Sequence, residues 1–262
     1  MTKSSCKIYS KEDFVSLKVS GQLAAYILDY ITPYVTEGIT TEELDRLCHD
    51  EIVRNNAVPA PLGYRGYPKS TCISLNQVVC HGIPSKRKLA NGDILNIDIT
   101  IILDGWYADT SRMYTVGKVP KKARELIDVT YKAMMLGINA IRPGIMLGDI
   151  GYAIQSFAES RRFSVVRDYC GHGIGRVFHD EPAVLHFGKA GTGIKLTAGN
   201  VFTIEPMVNV GRHETRLLSD GWTAVTADRS LSAQFEHTVG ITEDGVEIFT
   251  LPAAVTAMVE AS

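Results

Sequence analysis

Apolar and polar positions alternate with two different periods along this chain. Apolar residues recur at helical spacing over about 11 to 32, 40 to 55, 121 to 140 and 145 to 161, which predicts four amphipathic helices in two pairs. Thr40 or Thr41 ahead of Glu43 supplies an N-cap for the second, and the Pro and Gly of "TPYVTEGIT" and "NAIRPGIM" end one helix before the next begins. The stretch "NIDITIILDGWYADTSRMYTVG", residues 96 to 117, instead alternates every second residue about an Asp-Gly turn and predicts a hairpin. A two-residue loop at Asp104-Gly105 pairs Asp98 with Ser111 and Thr100 with Asp109. Asn96, Asp98, Thr100, Asp109 and Ser111 then share one face, and Ile97, Ile99 and Ile101 the other. Two carboxylates on one strand face are compatible with a solvated surface or with a site.

The pattern also repeats. "KLANGDILNID" (88 to 98) aligns without gaps on "KLTAGNVFTIE" (195 to 205), so Asp98 corresponds to Glu205. Upstream, "EGITTEELD" (37 to 45) matches "PGIMLGDIG" (143 to 151), and "CHGI" (80 to 83) resembles "CGHGI" (170 to 174), in the same order. No charge block or low-complexity tract divides the halves. The expectation is a single domain over 1–262, with pseudo-repeats at about 11–115 and 120–250. The expected fold class is α/β (α+β): a mainly antiparallel sheet duplicated about a pseudo-twofold axis, helices on its outer face, and a polar central cleft.

Composition narrows the partners. With 262 residues, 45% hydrophobic and 21% charged, the chain has the makeup of a globular protein with a sizeable core. Lys and Arg number 27 against 29 Asp and Glu, so a net charge of −2 gives no overall field for nucleic acid or an anionic membrane. Cys6, Cys48, Cys72, Cys80 and Cys170 are scattered and form no CxxC pair, which disfavours a disulfide framework and a thiolate zinc site. The N-terminal stretch lacks the apolar run of a signal peptide, and no segment approaches the roughly 20 apolar residues of a membrane span. A cytoplasmic location is expected.

If the halves face one another, Asp98 and Glu205 meet across the pseudo-dyad. Asp109, Glu236 of "LSAQFEHTVGIT" and His172 of "CGHGIG" complete a candidate cluster. Unit charges about 4 Å apart repel by about 4 kcal/mol at an effective dielectric near 20. Protons or cations must therefore neutralise four gathered carboxylates. Two divalent ions balance the charge, and oxygen-rich donors with one imidazole suit manganese, iron(II), cobalt or zinc in a hydrolytic site. Singly, each residue has a structural reading: Asp109 as a turn cap, Glu205 at a strand end before Pro206, Glu236 in a cross-strand pair, His172 as a satisfied loop histidine. "GHGIG" lacks the Lys-Ser/Thr of a phosphate loop, and Cys170 among acids lacks the positive environment a thiolate needs.

The ordered set Asp98, Asp109, His172, Glu205 and Glu236, with "CHGIP", "NIDIT", "ADTS", "GHGIG", "IEPM", "QFEHT" and "LGYRGYPKSTCISLN", resembles the type I methionine aminopeptidases of the pita-bread fold, from about residue 9 to 250. The resemblance implies two divalent ions on those five residues. It also implies a metal-activated water that attacks the first peptide carbonyl, with Glu205 moving its proton. His179 is placed at the scissile carbonyl and His81 near the amide nitrogen. Tyr64, Tyr67, Cys72, His81, Phe178, His179 and Trp222 wall a methionine pocket, with small second residues preferred. Carbonyls of Asn76, Val78 and Ser232 match the family's monovalent-cation site, for sodium or potassium. The implied partner is the N-terminal methionine of nascent chains, and a monomer is expected. Transient ribosome docking through the basic run "SKRK" (85 to 88) is a further expectation, with no stable nucleic-acid or membrane binding. Pro61 stands where many relatives carry Cys at the pocket rim, and the loop between His81 and Asp98 is one residue short. The type II insertion, the extra N-terminal domain of aminopeptidase P and prolidase, and the eukaryotic zinc-binding extension are expected to be absent. An X-Pro peptidase, a creatinase-like C–N hydrolase and a metal-free peptide-binding protein are the competing readings.

Overall fold

The structure, a computed structural model, describes residues 6–252. Four helices, α1 (Lys11–Ile31), α2 (Thr41–Arg54), α3 (Lys121–Asn139) and α4 (Leu147–Ser160), lie within a residue or two of their predicted bounds. Thr40 is the N-cap of α2: its hydroxyl accepts the Glu43 amide at 3.1 Å while the Glu43 carboxylate accepts the Thr40 amide at 2.8 Å. Ser10 and Asp13 close the same reciprocal box on α1.

The strands of the first half are β1 (Val58–Pro59), β2 (Cys72–Leu75), β3 (Val78–Cys80), β4 (Ile94–Leu103) and β5 (Trp106–Thr115). Those of the second are β6 (Ser164–Val165), β7 (Gly171–Gly173), β8 (Asp180–Val184), β9 (Val201–Ile204), β10 (Met207–Asn209), β11 (Thr215–Leu217), β12 (Ala224–Thr226), β13 (Ser232–Gln234), β14 (Glu236–Ile241) and β15 (Val246–Ile248). Nine strands form one sheet in the order β1-β4-β5-β14-β9-β7-β8, with β15 on β14 and β2 on β4, and its pairings are antiparallel. β14 thus joins β5 of the first half to β9 of the second. Two three-stranded sheets, β13-β10-β6 and β11-β12-β3, were not foreseen. Apart from the β11–β12 pair, they join short segments far apart in sequence, which local periodicity does not reveal.

The hairpin register is the predicted one: Asp98 opposes Ser111 and Thr100 opposes Asp109. Asp104 and Gly105 both take positive φ, 50° and 76°, as the twist-matched two-residue turn requires. Ile97, Ile99 and Ile101 are wholly buried against Ala24, Ile27, Leu28 and Ile31 of α1. The opposite face is buried too, with Asn96, Thr100, Asp109 and Ser111 each no more than 5% exposed. The solvated-face reading is therefore incorrect, and the polar residues turn inward to a cleft.

The two aligned segments make the same backbone bonds. The Gly38 amide donates to the Leu89 carbonyl and the Leu89 amide to Ile39, each at 2.8 Å; Gly144 donates to Leu196 at 2.8 Å and Leu196 to Ile145 at 2.9 Å. Isolated bridges Thr40–Lys88 and Met146–Lys195 extend the correspondence. Gly38 and Gly144 share φ values of 93° and 91°, in the left-handed region that favours glycine. The third motif match is placed differently: "CHGI" ends β3 in a three-stranded sheet, whereas "CGHGI" forms β7 in the large one.

α1 approaches the sheet so closely that a Cβ at Gly21 would lie 2.3 Å from the Phe249 carbonyl oxygen. In an open helix Gly→Ala stabilises by about 1 kcal/mol. Here Gly21→Ala is expected to destabilise by about 1–3 kcal/mol through overpacking, as measured by denaturant unfolding. A gain in stability would contradict this packing.

Candidate metal centre

Four strands and one strand end bring the predicted cluster together. Asp98 projects from β4, Asp109 from β5, His172 from β7 and Glu236 from the start of β14, opposite Ser111. Glu205 follows the last residue of β9 and precedes Pro206. Asp109, His172 and Glu236 offer ligand atoms within 4.8 Å of one another. The His172 Nε2 lies 3.7 Å from Asp109 Oδ2 and 3.6 Å from Glu205 Oε1. Its Nδ1 donates to the Gly173 carbonyl at 3.0 Å, so Nε2 presents its lone pair toward the acids.

Burial and mutual repulsion shift the acids toward their protonated forms and the histidine toward its neutral one. Asp98 and Glu236 are pushed well above the usual carboxylate range, first by burial and then by neighbouring acids. Burial raises Glu205 to about 8 and Asp109 to about 6, the latter restrained by the Thr100 hydroxyl. Burial lowers His172 to about 4, keeping it neutral. Asp98 Oδ1 and Glu236 Oε1 are buried without a hydrogen-bond partner. Orphaned carboxylate oxygens beside a neutral imidazole lone pair are what oxygen-preferring divalent cations need, so these residues fit such ions.

Threonine hydroxyls fix the geometry. Thr100 donates to Asp109 Oδ1 at 2.8 Å. Thr203 donates to Glu205 Oε1 at 2.8 Å and accepts the His172 amide at 3.0 Å. Thr238 accepts the Asp109 amide at 3.1 Å and donates to its carbonyl at 2.7 Å. Buried His186, whose pKa falls to about 3, accepts the Glu205 amide at 3.0 Å through Nε2. Neither the threonines other than Thr100 nor His186 were singled out from the sequence. A usable signal was present, since Thr203 and Thr238 stand two residues from Glu205 and Glu236 and hence on the same strand face.

A cavity of about 350 Å³ opens onto the acids. Tyr64, Tyr67, Cys72, His81, Phe178, His179 and Trp222 all line it, and Pro61 lies at its wall with Tyr169, Cys170 and Met207. Tyr67 Oη shares its proton between the Thr71 and Gly82 carbonyls at 3.1 and 3.0 Å, and its ring meets Trp222 edge-on at 5.2 Å. Asp220 orders the Trp222 loop by accepting the amides of Trp222 and Thr223. His179 Nδ1 lies 3.0 Å from Tyr64 Oη, and its ring centre is 4.2 Å from that of His172. Burial lowers the His81 pKa, and partial burial followed by the proximity of a second imidazole, His172, lowers that of His179. Cys170 has its thiol pushed up by burial and by Glu205, against nucleophilic use. Asn76 and Val78 line a separate recess, and the Asn76 carbonyl accepts the Ser232 amide at 2.8 Å.

A duplicated antiparallel sheet with buried acids and one imidazole at its centre defines a metal-dependent hydrolase class. The model of metallopeptidase family M24 matches residues 16–243, and this chain belongs to that family. It is 60% identical over 246 residues to a methionine aminopeptidase of Rickettsia prowazekii, covering 94% of this chain and 95% of the relative. It is 54% identical to a methionine aminopeptidase of Escherichia coli strain K12, covering 93% of each. The crystal structure of the Rickettsia protein superposes with a TM-score of 0.94, covering 94% of this chain and 100% of that one. A prolidase of Pyrococcus horikoshii, 20% identical with a TM-score of 0.75 over 94% of this chain and 63% of that one, shares the fold.

The acids and the histidine titrate with opposite effects on stability. Folded Glu205 retains its proton to about pH 8 against an ordinary value of 4.5, so folding favours the protonated form and stability falls as pH rises through that window. For His172, lowered from 6.5 to about 4, the loss comes as pH falls. Above pH 6.5 only the acids contribute. Chelator-treated protein is therefore expected to lose melting temperature between about pH 6.5 and 8, and saturating manganese to abolish that slope. A metal-free profile flat across this range would contradict the buried-acid reading.

Proposed function

We propose that this chain is a methionine aminopeptidase that removes the initiator methionine from new proteins when the second residue is small. The observation that carries the proposal is the meeting of four buried carboxyl groups and the His172 lone pair at the floor of an aromatic-lined cavity. Identity of 60% over nearly the whole length of a methionine aminopeptidase supports it. The pseudo-repeats form one catalytic domain in this reading.

Asp98, Asp109, His172, Glu205 and Glu236 hold two divalent cations, drawn from cobalt, manganese, iron and zinc. Bound there, such ions would supply Lewis-acid chemistry, polarising a carbonyl and lowering the pKa of water enough to give a nucleophile near neutral pH. Glu205, oriented by Thr203 and Gln234, takes the proton released by the attacking water and returns it to the departing amine. In the tautomer that serves this role, the Tyr64 hydroxyl, 3.0 Å away, donates to His179 Nδ1 and the Nε2 proton is donated to the scissile carbonyl as negative charge develops. Neutral His81, edge-on to Tyr169 and Trp222, faces the amide nitrogen. Tyr64, Tyr67, Cys72, Phe178 and Trp222 enclose the methionine side chain, for which aromatic edges and a thiol are favourable thioether contacts. A free substrate amine completes recognition, which confines cleavage to the first residue.

The carbonyls of Asn76, Val78 and Ser232 would take a sodium or potassium ion. Lys86 and Lys88 of the basic run are exposed and available for transient ribosome contact, while Arg87 is engaged with Asp93 at 3.1 Å. The working form is a cytoplasmic monomer. No described helix is long and apolar enough to cross a membrane.

Hydrolysis of Met-Ala-Ser, with Met-Leu-Ser and acetyl-Met-Ala-Ser as controls, tests the proposal. With manganese or cobalt, only the free Met-Ala-Ser peptide is expected to turn over rapidly, and chelator should abolish the rate. Glu205→Gln is expected to lower kcat by about 100-fold or more with KM little changed. Cleavage of the acetylated peptide, or preference for X-Pro substrates, would overturn the assignment.

A further inference from the structure

The loop from Ile174 to His179 connects β7 to β8 and carries Phe178 and His179 to the cavity wall, yet most of its anchoring lies on the far side, away from the acids. The Arg176 guanidinium lies over the Trp106 ring at 3.8 Å from its centre, and its Nη1 donates to the Asp104 carbonyl at 2.9 Å. Trp106 and Asp104 belong to the tip of the β4–β5 hairpin, in the other half of the molecule. The same tip holds the loop's backbone: the Tyr107 amide donates to the Gly175 carbonyl at 2.8 Å, and the Tyr107 ring stacks on Phe178 at 5.7 Å. Tyr9 closes the assembly. Its hydroxyl accepts the Arg176 amide at 3.3 Å, and its ring meets Trp106 edge-on at 5.7 Å.

The fit is close enough to exclude side chains. A Cβ at Gly105 would sit 2.8 Å from Arg176 Nη1, and one at Gly175, whose φ is 151°, would sit 2.2 Å from the Tyr9 hydroxyl oxygen. Trp106 is 4% exposed while Arg176 remains exposed, so the guanidinium caps a buried ring from its solvent side. Arg176 also supplies a planar fork that stacks and donates together, which lysine does not reproduce. Two residues on, Phe178 and His179 have ring centres 4.2 Å apart, and His179 reaches Tyr64.

We infer that Arg176 is a positioning residue, clamping the His179 loop to the hairpin tip so that His179 is pre-aligned with the scissile carbonyl. The inference rests on the role given to His179 above. Misplacing a catalytic group by about 1 Å can cost 100-fold. Because the Tyr107 and Tyr9 contacts remain, Arg176→Gln is expected to lower kcat about tenfold, with KM for Met-Ala-Ser within about twofold; Arg176→Lys should fall between the two.

The decisive measurement is a double-mutant cycle with His179→Ala on the manganese-loaded full chain. If Arg176 acts through His179, adding Arg176→Gln to His179→Ala should change kcat by less than about twofold. Multiplying effects, or a normal kcat for Arg176→Gln beside a crippled His179→Ala, would overturn the clamp alone. Full turnover by His179→Ala would overturn the role of His179 and the clamp with it. Should Arg176→Gln fail to fold, the same cycle with Arg176→Lys separates these outcomes.

Discussion

Four carboxyl groups sharing one buried cleft are the constraint around which this molecule is organised. Among the described residues, no lysine or arginine hydrogen-bonds to any of them. Their repulsion is met by protons, by threonine and glutamine donors, and by divalent cations in the reading advanced above. At about 4 kcal/mol per adjacent pair at an effective dielectric near 20, a loose scaffold would let the acids swing apart into solvent. The β4–β5 hairpin, β14 and β9 prevent that. Each is paired on both sides, and each bears bulky apolar side chains on the opposite face that are buried under the helices.

Duplication makes the scaffold economical. Matching hydrogen bonds at Gly38–Leu89 and Gly144–Leu196 anchor the start of each acidic strand region, and Asp98 and Glu205 stand at corresponding places downstream. A strand gives a carboxylate a neighbour two residues away on the same face. In three cases that neighbour is threonine: Thr100 after Asp98, Thr203 before Glu205 and Thr238 after Glu236. Thr100 and Thr238 serve Asp109 across the sheet, and Thr203 serves Glu205 beside it while accepting the His172 amide from the neighbouring strand. The polar ladder is thus one strand period repeated, with the hydrophobic face guaranteeing that it points inward.

Legibility from the sequence followed the range of the determining interactions. Helix ends were readable because Thr40 and Glu43 cap locally, and the hairpin because Asp104-Gly105 alone fixes its register. The meeting of Asp98 with Glu205 was readable only through the repeat, a comparison of the chain with itself. The two three-stranded sheets were not readable, since β3 with β12 and β6 with β10 pair short segments through distant loops. His186 was missed for a related reason. Its role is to accept the amide of a residue far along the chain, and nothing in "AVLHFG" announces that. The pocket residues needed the family resemblance, because the placement of Tyr64 or Trp222 depends on loop geometry such as the left-handed Gly63 and the Asp220 turn.

The sheet and the loops therefore carry different parts of the chemistry. A protein only 20% identical to this one retains the fold, so the sheet by itself does not say which peptide is cut. The cavity wall is built from two loops instead, where Tyr64 stacks on His179 and Phe178 packs tilted against both. Tyr64 sits in a turn closed by its own backbone bonds, whereas the 174–179 loop ties its backbone outside itself, through the Gly175 carbonyl to the Tyr107 amide. That bond lies at the hairpin tip, where Tyr107 meets Phe178 and Arg176 covers Trp106, so the same hairpin that buries Asp98 and Asp109 also sets where the loop may stand. Acids and pocket are thereby held in register through one pair of strands.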